Sequence, residues 1–289
     1  MEICFFANQA ITPEGPVSLS DGSWLFVETT LSNVLWISAD GKQRKIIANT
    51  AAPNGLAIDA EDHIYVADAR QRALMRITMQ GERSILTTGP ADDPFLLPND
   101  LCFGADGMLY MTDSGMVLGE YDPYDLNAMM SMPYDGKLFR IHPGTWECQV
   151  LDRGLKLANG IAFDPAGDNL YVAETVTGNI YRYRTGNWTR ELFANVNRVS
   201  TLEAGSLVGP DGMAVDTEGN LYIGVVGQGD VVILDPNGAQ IGCIHLEHGS
   251  PTNIAFSVAS PKTALITDAG TKRLLLLHND IAGQQLFGR

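Results

Sequence analysis

The sequence predicts an all-β protein, a six-bladed β-propeller with four antiparallel strands per blade. One strand-turn-strand sentence recurs six times along 289 residues. The spacing of the copies matches the length of a propeller blade. Helical periodicity at i, i+3, i+4 is hard to sustain anywhere for about ten residues, which argues against helix-rich α/β architectures.

The copies are EGPVSLSDGSWLFVET from Glu14, NGLAIDAEDHIYVADA from Asn54, NDLCFGADGMLYMTDS from Asn99, NGIAFDPAGDNLYVAET from Asn159, DGMAVDTEGNLYIGVV from Asp211 and NIAFSVASPKTALITDA from Asn253. Their starting points lie 40, 45, 60, 52 and 42 residues apart, around the ~40–50 residues of a four-stranded blade. Each copy reads as a short apolar strand, a turn built on Asp and Gly (DAED, GADG, DTEG), and a second strand. Two further strands follow in most copies, such as ALMRIT and RSILT in the second. The last copy offers only three: NIAFSV, TALITD and RLLLLH. EICFFAN, ahead of the first copy, is therefore expected to serve as the outer strand of blade six and close the ring. Residues 1–289 then form a single domain.

Composition narrows the possible partners. The chain has 34 Asp and Glu against 19 Lys and Arg, a net charge of −15, and no basic cluster. That balance disfavours nucleic acid and mildly favours cations. No apolar run reaches the ~18 residues that span a bilayer, and MEICFFANQAITPEG lacks a basic leader, so the expectation is a cytoplasmic protein without a membrane partner. Cys4, Cys102, Cys148 and Cys243 lack CxxC spacing and are read as buried thiols rather than disulfides or a zinc site. No GxSxG, HExxH, P-loop or dinucleotide fingerprint occurs.

The first strand of a blade lines the propeller axis, so the residues that begin these strands converge on one mouth of the channel. Those residues are Glu14, Asn54, Asn99, Asn159, Asp211 and Asn253. Two carboxylates, four amides and no sulfur or imidazole suit one hard divalent cation, Ca²⁺ first, with Mg²⁺, Mn²⁺ and Zn²⁺ as alternatives. The competing reading is that each Asn or Asp only satisfies local backbone groups. A second acidic series, Glu28, Asp68, Asp113, Glu174 and Asp268 with Gly224 breaking it, ends the second strands and reads mainly as loop capping. Within it, Asp113 and Glu174 are candidates for contacts around the metal or with substrate.

PEGP at 13–16, LPND at 97–100, LANG at 157–160 and GPDGMAVD at 209–216, in this order and spacing, resemble the SMP-30/gluconolactonase/luciferin-regenerating family over essentially the whole chain. The resemblance implies a metal-dependent hydrolase acting on a lactone or related ester. It assigns Glu14, Asn159 and Asp211 as metal ligands and Asn99 as a ligand or substrate contact. Asp211 also stands as the base or the group that orients the attacking water. One position departs: sugar-lactonase members often carry Arg two residues before the Asn equivalent to Asn99, where this chain has Leu97.

Residues 114–139 make the third copy the longest and are expected to overhang the mouth as a lid, with Met116, Tyr121, Tyr124, Met129, Met130, Met132 and Tyr134 as an adaptable apolar surface. The alternative is an insertion that merely packs on neighbouring loops. Arg198, in the loop 197–209, is a candidate for an anionic substrate group, and His248 is the one histidine expected near the mouth. Tyr121, Met130, Asn54, Asp113, Glu174, Arg198 and His248 complete the candidate substrate contacts. The rival functions are a phosphotriesterase-like or other ester hydrolase on the same site, and a noncatalytic propeller braced by its metal.

Overall fold

A computed structural model describes residues 1–120 and 125–288. They form six four-stranded antiparallel sheets, the blades. The inner strands of blades one to six are Pro13–Ser18, Pro53–Ile58, Pro98–Phe103, Ala158–Phe163, Gly209–Val215 and Pro251–Phe256. Glu2–Asn8 pairs with Arg273–His278 as the outer strand of blade six, as the three-stranded last repeat requires. The ring is also bonded from blade six to blade one. Thr252 Oγ1 donates to the Pro13 carbonyl at 2.6 Å, and Val258 N–H donates to Ser18 Oγ at 3.0 Å.

The repeated sentence has a packing reason. In blades two, three and five the turn aspartate (Asp59, Asp106, Asp216) accepts backbone N–H groups of its own turn. It also accepts the hydroxyl of the second-strand tyrosine: Tyr65 at 3.0 Å, Tyr110 at 2.9 Å and Tyr222 at 3.2 Å. Each tyrosine ring then stands edge-on to the phenylalanine that ends the next blade's inner strand. The centroid distances are 5.4 Å for Tyr65–Phe103, 5.0 Å for Tyr110–Phe163 and 5.3 Å for Tyr222–Phe256. Such pairs contribute about 0.5–1.5 kcal/mol beyond their buried area. One motif thus shapes the turn within a blade and joins that blade to the next.

Helix is confined to short segments among the described residues, chiefly Leu126–Ser131 and Thr201–Ala204. No described helix is long and apolar enough to cross a membrane. All four cysteines are free. Cys4, Cys102 and Cys148 are half-buried, but Cys243 is exposed, against the expectation of burial. It sits on an outer strand, Gln240–His245, whose residues are largely exposed.

Candidate functional site

Each inner strand carries an irregularity near its start. In blade three the ladder pairs Pro98 with Asp113, then resumes with Leu101 opposite Met111. Matching this register around the ring gives two layers of residues at the mouth. The outer layer is Glu14, Asn54, Asn99, Asn159, Asp211 and Thr252. The layer beneath is Gly15, Gly55, Asp100, Gly160, Gly212 and Asn253. This corrects two sequence assignments. Asn253 lies one residue deeper than the ring expected for it, because blade six reads Pro-Thr-Asn where blades two and three read Pro-Asn-Gly and Pro-Asn-Asp. In the second-strand series, the residue of blade five opposite Pro210 is Val225, not Gly224.

The hydrogen bonds fix which way the outer amides face. Ser114 Oγ donates to the Ala158 carbonyl of the next blade at 2.8 Å, so its lone pair accepts Asn99 Nδ2 at 3.0 Å. Thr175 Oγ1 donates to the Pro210 carbonyl at 2.8 Å and accepts Asn159 Nδ2 at 3.1 Å. Both amides spend an N–H on these hydroxyls, which leaves Oδ1 as the atom available to a ligand. Asn99 Oδ1 is buried with no hydrogen-bond partner among the described residues. A buried acceptor left unpaired costs about 1–3 kcal/mol, so its retention points to a ligand.

The layer beneath contributes a group that the sequence reading missed, Asp100. Asn253 Nδ2 approaches Asp100 Oδ2 at 3.5 Å, from blade six to blade three across the axis. The glycines make this possible. A Cβ on Gly55 would come within 2.5 Å of Asp100 Oδ1, and one on Gly212 within 2.0 Å of Asn253 Cγ. The signal was present in the sequence: Asp100 stands where the first, second, fourth and fifth copies have Gly15, Gly55, Gly160 and Gly212.

Three carboxylates therefore share the pore. Burial, then the charges of Asp211 and Asp100, raise Glu14 well above the usual carboxylate range. Burial, then the charge of Asp100, pushes Asp211 up to about 8, against hydrogen bonds from Asn159 and Glu14. Burial pushes Asp100 up to about 6. No ion pair joins any of the three to a Lys, Arg or His among the described residues. An all-oxygen donor set, an unpaired amide oxygen and a surplus of negative charge fit a hard divalent cation, which for Ca²⁺ takes about 6 to 8 oxygens. A second acidic group, Asp59, Glu61 and His63, lies at the turn between the first two strands of blade two, away from this mouth. Asp59 there already accepts the Glu61 and His63 backbone N–H groups and bonds the His63 imidazole at 2.9 Å.

The other candidates divide by what they touch. Asp113 accepts Leu96 N–H at 2.8 Å, Leu97 N–H at 3.0 Å and Gly115 N–H at 2.9 Å. Glu174 accepts Lys156 N–H at 2.7 Å together with the Thr177 and Tyr181 hydroxyls. Glu28, Asp68 and Asp268 likewise hold the loop that leads into their own inner strand. These carboxylates clamp backbone, and that corrects the expectation that Asp113 and Glu174 face metal or substrate. Asp113→Ala, which strands three N–H donors, is expected to destabilise the fold by about 2–3 kcal/mol. Urea unfolding should show this loss without a matching loss of cation affinity.

Arg198 is ion-paired to Asp230 at 2.7 Å, and its N–H donates to Gln228, so its guanidinium is committed to blade five. The His248 side chain is 87% exposed, on a surface loop beside Glu247 rather than in the mouth. Asn54 occupies its expected layer, half-buried. Tyr121 and Tyr124 lie outside the described residues. The segment 114–139 does reach the mouth side. Met116 and Tyr134, with Met130 and Met132 against them, pack on Ala52, Ala69, Leu97 and Val176, residues flanking strand ends in blades two to four.

Comparison with known proteins agrees with this architecture. The family described as "SMP-30/Gluconolactonase/LRE-like region" matches residues 12–270. A gluconolactonase of Zymomonas mobilis is 28% identical over 265 residues, 84% of this chain and 72% of that enzyme. The pentonolactonase XacC of Haloferax volcanii is 30% identical over 144 residues, 48% of each chain, so this match spans about half of either protein. Among solved structures, a calcium-binding regucalcin of Agrobacterium tumefaciens superposes with a TM-score of 0.78 at 16% identity, covering 97% of this chain and 94% of that one. With the six blades and two-layered mouth described above, the match across nearly the whole ring shows that this chain belongs to the SMP-30/gluconolactonase/LRE-like family.

Proposed function

We propose that this protein hydrolyses a lactone, using one divalent cation held by Glu14, Asn99, Asn159 and Asp211. The observation that carries the reading is a buried group of three carboxylates and two oriented amide oxygens without a cationic partner. The names of its lactonase relatives support it.

When bound, a hard cation supplies Lewis-acid polarisation of the ester carbonyl. The chain supplies the rest. Ser114 and Thr175 lock the two amides, so their oxygens need no reorganisation during reaction. Asp211, buried at the mouth among the proposed ligands, is placed to orient the attacking water or accept its proton. Glu14, whose carboxyl is coupled by charge to Asp211, holds the complementary proton or charge. Asp100 adds negative charge beneath both and favours a cation over an anion in the mouth.

Leu97 gives the substrate its character. Where sugar-lactonase relatives are expected to carry Arg, Leu97 joins the apolar cluster formed with the segment 114–139. Half-buried Met130 lies in the same wall. A lactone bearing an apolar substituent fits this side better than one bearing several hydroxyls.

The test is proton release from a panel of gluconolactone, dihydrocoumarin and acyl-homoserine lactones, with and without EDTA. EDTA-sensitive turnover, greater on the apolar lactones, is expected. Turnover of paraoxon but of no lactone would assign the site to phosphotriesters. Absence of turnover on every ester, with cation bound, would make this a binding propeller.

A further inference from the structure

Below the Asp100–Asn253 contact the pore widens into a cavity of about 370 Å³. Its wall is mainly apolar, with Leu56, Phe103, Phe163, Met213, Phe256 and Phe287 among its residues, and no Lys, Arg or His among the described residues lines it. Cys102, Ala214 and Ala255 belong to inner strands yet remain half-buried, and all three line this space.

The two ends differ. Above, Asp100 and Asn253 meet across the axis and bar the way to the polar mouth. Below, the segment 283–287 lies over the ends of the inner strands. Gln284 N–H donates to the Val215 carbonyl at 3.1 Å, Gln284 Nε2 donates to the Phe163 carbonyl at 2.7 Å, and Phe287 packs edge-on to Phe163. This floor belongs to no strand; besides those contacts it is held by Gly283 N–H donating to the Pro261 carbonyl at 2.7 Å and by an isolated bridge from Asp216 to Gly283. Gln285 and Leu286 are exposed. Gln284 Oε1 is buried without a partner among the described residues.

We propose that this chamber is a second ligand site, for an uncharged and mainly apolar small molecule carrying one hydrogen-bond donor, admitted from the face opposite the polar mouth. An apolar cavity of about 150 Å³ already holds benzene, so this one takes a fused bicycle or a chain of roughly ten carbons. The apolar wall drives binding, and Gln284 Oε1 receives the donor. An anion finds no countercharge in the chamber and meets Asp100 at its roof. The site is separate from the lactone chemistry and stands without it.

The test uses the full chain and the uncharged fluorophore N-phenyl-1-naphthylamine, which has one N–H. Saturable enhancement at one probe per chain is expected, displaced by 1-decanol and about tenfold less well by decanoate. Ala255→Phe and Ala214→Leu fill the chamber from two blades. In whichever variant melts as the parent does by circular dichroism, probe affinity should fall about tenfold or more. No saturable binding, undiminished affinity in a folded variant, or decanoate competing as well as decanol would overturn the proposal. The competition arm needs no variant, so it decides even if both substitutions unfold the protein.

Discussion

Asp211→Asn is expected to remove the bound cation and lower lactone turnover by about 10³-fold or more, with Glu14→Gln close behind. Lewis-acid stabilisation supplies several kcal/mol, and each 1.36 kcal/mol is a tenfold change in rate. Both replacements keep side-chain volume, so neither opens a cavity. Both also remove one of three mutually repelling carboxylates, which gives a signature that general misfolding would not produce. The metal-free variants should melt at a higher temperature than the metal-free parent at pH 8, while binding less cation. Elemental analysis of dialysed protein, initial rates and thermal melts give the three readouts. Full activity with unchanged metal content in Asp211→Asn would remove Asp211 from the site. Asn99→Ala, by contrast, takes one neutral oxygen and is expected to weaken turnover more than occupancy.

The second large effect is a dependence of stability on pH that reverses with metal. An unfolded Asp titrates near 3.9. In the metal-free fold burial holds Asp100 at about 6, and burial with like charge holds Asp211 at about 8 and raises Glu14 as well. A carboxyl whose folded pKa is raised favours the folded state fully below the unfolded value, and that contribution is lost as pH climbs through the folded value. The melting temperature in EDTA should therefore fall between pH 5 and pH 9. A cation competes with those protons, so its stabilisation, about 2.7 kcal/mol at 100 times Kd, appears at high pH and fades toward pH 5. Scanning fluorimetry in EDTA and in CaCl₂ across this range checks both limbs. A calcium shift of equal size at pH 5 and pH 9, with a flat EDTA profile, would show that these carboxylates are not the site. Asp211→Asn should flatten the EDTA profile.

The fold was legible because each blade repeats the same physical problem. The turn aspartate, the tyrosine that bonds it and the phenylalanine of the next blade recur in sequence because they recur in space. The three-stranded last copy likewise announced that Glu2–Asn8 must close the ring. The site was less legible, for reasons of register. Aligning copies by chemistry placed Asn253 with Asn159, whereas the ladder places Thr252 there, its hydroxyl spent on closing the ring to Pro13. Asp100 was hidden by its neighbour. Asn99-Asp100 reads like Asn-Gly with a variant second residue, and only the glycines of four other copies show that an acid there is the anomaly. Asp113 and Glu174 show the converse. Sequence gives their position at the end of a second strand but not their direction, and recurrence in five blades pointed to the backbone clamp the structure displays.

A single cation at the mouth of the pore is tested most directly by an anomalous difference map from crystals soaked in MnCl₂. The expected result is a single strong peak bounded by Glu14, Asn99, Asn159 and Asp211, replaced on calcium exchange by an ion at about 2.3–2.6 Å from their oxygens. A peak only at the Asp59–Glu61–His63 turn, or none in the pore at saturating metal, would contradict it.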